Sequence, residues 1–192
     1  MFVDGDYDII LLAMNLHPIF VHFPIAILSL YAVFEMFIFG GIRRRASWFY
    51  VKLSLLLTGF LFSLLTLETG NEVAEHISYG SSIWPVVYAH SKWAHISVFL
   101  FGVLATVYFL IWIKDYPECH NVYSRIKNNR YLEKPWKILS FMVSGIYNSP
   151  AIWILAFLGL IAMIITGSLG ASIVHGADGD PVVRLVYKIF GL

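Results

Sequence analysis

Four apolar stretches, from about 19 to 39, 48 to 67, 93 to 113 and 151 to 174, limit what this chain can fold into. Each is close to the roughly 20 helical residues that cross the ~30 Å hydrocarbon core of a bilayer. Composition agrees. Hydrophobic residues make up 59% and charged residues 13%, against about 25% charged in soluble domains. So few charges cannot cover so large an apolar core in water. The net charge of +1 offers no basic face for nucleic acid. The one cysteine, Cys119, excludes an internal disulfide, a thiolate zinc site and a CxxCH haem attachment. Asp4, Asp6 and Asp8 precede the short apolar piece 9–16 where a signal peptide would carry basic residues. Residues 1–192 therefore read as a single all-α domain, an integral membrane four-helix bundle running up-down-up-down.

Basic residues set the direction, because they collect in cytoplasmic loops. Arg43, Arg44, Arg45 and Lys52 flank the first connection, and Lys114, Arg125, Lys127, Arg130, Lys134 and Lys137 lie in or beside the third, at 114–149. These predict a cytoplasmic side for both connections. The termini, including the tail 175–192, then lie outside, in a periplasm or its equivalent. Two short amphipathic segments, 135–147 and 181–192, read as helices lying in the interface, as lipid anchors or as docking surfaces for a partner subunit.

Small residues recur at helical spacing in the second span (Gly59, Ser63, Thr66, Gly70) and in the fourth (Gly159, Ala162, Thr166, Gly170). Such stripes let membrane helices approach closely, and they leave room for a flat ligand. No internal repeat stands out along the chain.

Packing does not account for the histidines. Six of the seven, His17, His22, His76, His90, His95 and His175, fall at or near the outer face, with His120 in the third connection. Two pairs share a five-residue spacing, His17 with His22 and His90 with His95. The first and third spans run the same way and stand diagonally in such a bundle. The reading favoured here is that His22 and His95 supply the two axial nitrogens of a b-type haem. Five residues turn a helix by about 140° beyond one revolution, so His17 and His90 point elsewhere, toward a second haem or only solvent. A competing site is Glu68, Glu72 and His76, spaced four and four, which would hold a divalent metal or pass protons. An exposed acidic helix end explains those three as well. Glu35, near the inner interface, is expected to be structural and neutralised by Arg43–Arg45.

The stretch from His17-Pro18 through His22-Phe23-Pro24 to Ala26 resembles the opening of the DUF2231 family of small bacterial membrane proteins. Glu68-Thr69-Gly70, His90, His95 and the run from Thr166-Gly167 through Gly170 to Val174 extend the resemblance across 15–183. It implies the four-span architecture. Fusions of some members to Rieske iron–sulfur or c-type cytochrome domains imply a redox setting on the outer side. Together these readings predict an electron-transfer subunit that passes electrons between a membrane quinol and a periplasmic acceptor, such as a cytochrome c or an iron–sulfur protein. The alternatives are a non-haem metal or quinone site, or a structural subunit without a cofactor.

Overall fold

The structure, a computed structural model, describes residues 4–37, 42, 45–176, 178 and 181–192, with side chains from residue 17 onward. It is all-helical among these residues. The helices are α1 (Asp4–Phe37), α2 (Ala46–Glu75), α3 (Trp84–Asp115), α4 (His120–Asn128), α5 (Glu133–Tyr147), α6 (Ala151–His175) and α7 (Pro181–Phe190), with one 3₁₀ turn at Pro117–Cys119. Four segments are long and apolar enough to cross a membrane: His17–Phe37, Ala46–Glu75, Trp84–Asp115 and Ala151–His175.

The helices outrun the apolar stretches that announce them. α1 is continuous through Pro18 and Pro24, α2 runs on through Gly70, and α3 starts nine residues earlier than expected, with Pro85 in its first turn. Proline is preorganised for a first turn. In lipid the helix is the only open segment that satisfies its own backbone, so neither an internal proline nor a glycine easily ends it. α4, a short polar helix beside the 3₁₀ turn, has no apolar stripe long enough to foretell it.

α1 packs along α2 and α3 along α6, while α2–α3 and α1–α6 contacts close the ring. α1 and α3 therefore face each other across a diagonal, as up-down-up-down order requires. The half of the bundle away from the histidines is filled with aromatic rings. Tyr31, Phe49, Phe101 and Tyr108 are all buried there, with Phe49 stacked between Tyr108 and Tyr116 at centroid distances of 5.5 and 4.2 Å.

A buried ion pair lies among those rings. Lys52 Nζ stands 2.9 Å from Glu35 Oε2, and the Tyr108 hydroxyl donates to the same carboxylate from across the bundle. Lys52 is thus a partner of Glu35; of the expected Arg43–Arg45 cluster, Arg43 and Arg44 lie outside the described residues. Lys52 also leaves the tally of flanking charges, because it is buried.

The two amphipathic segments are helices. α5 buries Val143 and exposes Ile138, Phe141 and Met142. α7 buries Val183 and Val186 and exposes Leu185 and Ile189. In the 3₁₀ turn Cys119 is 6% exposed, and burial, with the Glu118 carboxylate, pushes its thiol pKa up.

Candidate functional site

The two histidine pairs split between the inside and the outside of the bundle. His22 and His95 are exposed, and each ring bonds through Nδ1 to the carbonyl one turn back on its own helix, Pro18 for His22 and Ser91 for His95. His17 and His90 turn inward and are held by neighbouring helices instead.

His90 Nδ1 lies 2.9 Å from the carbonyl of Thr166 on α6. Its ring covers Gly170, where a Cβ would stand 3.0 Å from His90 Cε1. His17 lies against the backbone carbonyl of Thr66 on α2, and its Nδ1 stands 3.1 Å from the Thr69 hydroxyl, which donates to the carbonyls of Leu65 and Thr66. Its ring covers Gly70, where a Cβ would stand 2.9 Å from Cε1. The glycines are there because any side chain would push the imidazoles out. Thr66 and Thr166 turn their own hydroxyls to the carbonyls four residues back, Phe62 and Ala162.

The Thr166 carbonyl only accepts, and the Thr69 hydroxyl has its own proton engaged on carbonyls of α2, so Nδ1 carries the proton in both rings and Nε2 keeps its lone pair. An imidazole whose N–H is fixed on a carbonyl while the other nitrogen is basic is the usual arrangement of a metal-ligating histidine. Two turns further along α3, Ser97 is buried and its hydroxyl has no hydrogen-bond partner.

The structure places the two pairs differently from the sequence reading. His22 and His95 occupy matched positions, but with exposed side chains. The inward pair is His17 and His90, and the five-residue spacing that separates the pairs works in their favour. The threonine–glycine stripes, noted for packing, were the signal that marks where imidazoles lie.

The acidic alternative does not assemble. Glu68 is exposed, and His76 sits beyond α2 as its C-cap with Nδ1 2.8 Å from the carbonyl of Glu72. Among the described residues no three His, Cys, Asp or Glu side chains gather where a metal could be held. Two grooves on the flanks, of about 240 Å³ beside Ser29 and Gly167 and about 430 Å³ beside Tyr50 and Thr58, include neither His17 nor His90.

Four spanning helices around an inward imidazole pair define a small multi-pass membrane protein. Residues 13–72 match the family model DUF2231, described as a predicted membrane protein. The match takes in α1 from just before His17 and α2 to just past Gly70. No curated protein and no solved structure matches the chain.

Proposed function

We propose that this chain is a membrane electron-transfer subunit that holds one b-type haem between His17 and His90. The observation that carries the reading is the pair of inward imidazoles on diagonal helices, each with Nδ1 tied to a neighbouring helix and Nε2 left as a donor. Two neutral imidazoles of this kind are a donor set that would hold a haem iron. The haem would supply the one-electron chemistry. The chain would supply ligation through His17 and His90, fixed ring orientation through Thr66 and Thr166, and a low-dielectric surround. One haem is proposed rather than two, since His22 and His95 face out.

Arg45, Lys114, Arg125, Lys127, Arg130, Lys134 and Lys137 cluster at the end away from the histidines, and the positive-inside bias makes that end cytoplasmic. The haem then lies near the periplasmic face of a bacterial inner membrane, between a membrane quinol and a periplasmic acceptor.

The test is the visible spectrum of the purified protein. A Soret band with sharp reduced bands is expected in wild type, in His22→Ala and in His95→Ala, and is lost in His17→Ala and His90→Ala. A wild type made in a haem-replete host without a Soret band overturns the reading.

A further inference from the structure

We infer that the chain is two copies of one helical hairpin, α1–α2 and α3–α6, and that His17 and His90 are the same position in the two copies, so the site takes a ligand with two equivalent faces. The contacts repeat in register. Gly59 of α2 packs under Leu28 of α1, and Gly159 of α6 packs under Phe101 of α3. Gly70 lies under His17, and Gly170 under His90. In the first helix of each hairpin the equivalent residues stand 73 positions apart, and in the second helix 100. The difference of 27 residues falls in the connection that contains α4 and α5.

Hydrogen bonds follow the same offsets. The carbonyls of Thr66 and Thr166 receive His17 and His90, and the hydroxyls of both threonines donate to the carbonyl four residues back. His22 to Pro18 repeats as His95 to Ser91. Buried positions coincide as well: Leu28 with Phe101, Ala32 with Ala105, Lys52 with Ile152, Leu56 with Ala156. Glu35 and Tyr108 are equivalent by the 73-residue offset, and they meet each other across the diagonal. That meeting is expected of a position close to a pseudo-two-fold axis. Antiparallel helices can share one contact by chance, but chance does not keep two fixed offsets through glycine, histidine and threonine contacts alike.

The repeat is hidden in sequence because its fixed points are few and the second hairpin carries the insertion. It extends the family match, which covers only the first hairpin. The duplication stands on these contacts alone, while the identity of the ligand rests on the haem reading above.

The experiment uses the full chain in detergent micelles, with ¹⁵N-labelled histidine and a haemin titration. Residues 68 and 69 are first exchanged for their counterparts at 168 and 169, as Glu68→Ser with Thr69→Leu. His17 should keep its Nδ1–H tautomer, because the second hairpin holds His90 without a hydroxyl at that position. Gly70→Ala should then displace the His17 ring and Gly170→Ala the His90 ring. Each should weaken haemin binding by about tenfold to a hundredfold, the usual effect of disturbing a ligand's support, and by similar factors. Loss of the His17 tautomer in the exchanged chain overturns the duplication, as does a Gly170→Ala variant with His90 unmoved while Gly70→Ala releases His17. A wild type that binds no haemin sinks the haem reading, while the tautomer signals still decide the repeat.

Discussion

The Lys52 ammonium and the Glu35 carboxylate meet at 2.9 Å with side chains only 2% and 0% exposed. Lys52 also lies 5.3 Å from the centre of the Tyr108 ring, whose hydroxyl donates to Glu35. Two helices that would each carry an isolated charge into lipid are thereby neutralised together. A buried pair of this kind is costly to break and cheap to replace whole. Lys52→Met alone should destabilise the protein by about 3–5 kcal/mol, and Lys52→Met with Glu35→Leu should recover most of that. Thermal unfolding in detergent of both variants checks it. Equal losses in the single and double variants would show that the pair does not act as a unit.

Glycine positions should sort by what stands over them. A Cβ at Gly59 would lie 2.6 Å from Leu28 Cδ2, whereas none of the surrounding atoms comes within 4 Å at Gly167. Gly59→Ala should cost about 1–3 kcal/mol by overpacking. Gly167→Ala should be neutral or stabilise by up to about 1 kcal/mol, since alanine is the better helix former. Melting curves measured side by side decide this, and an equally destabilised Gly167→Ala would contradict the packing described.

Exchanging one axial donor tests the proposed ligands without emptying the site. Methionine opposite histidine raises a haem's potential relative to two histidines. His90→Met should keep haem but shift its bands and raise its midpoint potential, as followed by redox titration. His95→Met should change neither. An unshifted potential in His90→Met would remove His90 from the coordination sphere.

Sidedness is best read with added thiols, because Cys119 is buried and its raised pKa makes it a poor nucleophile. In a Cys119→Ser background, Gly80→Cys in the exposed link between α2 and α3 should react with an impermeant maleimide on intact cells. His120→Cys, also exposed, should react only after the cells are opened. The reverse pattern would invert the orientation and place the histidine layer in the cytoplasm.

Much of the architecture was legible in the residues because lipid punishes any alternative to a helix, so stretches such as 93–113 and 151–174 name themselves. Helix ends were less so. Gly70 and Pro18 signal breaks in water, yet α2 and α1 pass through them. The histidines were found, but their facing was not. Which of His17 and His22 looks inward depends on the phase of a helix whose apolar residues surround it, and that phase is set by Gly70 and Thr66 on another helix. The pairing of Glu35 was hidden likewise, since Lys52 reads as one of a basic cluster until α1 and α2 are laid together.

The insertion that holds α4 and α5 falls in one hairpin only. Near the histidine layer the four spanning helices repeat after half a turn, but α7 packs on α6 and the described residues show no counterpart of it on α2, so a body approaching there meets two unlike seats. At the other end eight residues join α1 to α2, while thirty-five, α4 and α5 among them, join α3 to α6. Whatever docks at that end has a single orientation available, fixed by α4 and α5. Each end of the bundle is therefore marked by its own helices, one by α4 and α5 and the other by α7.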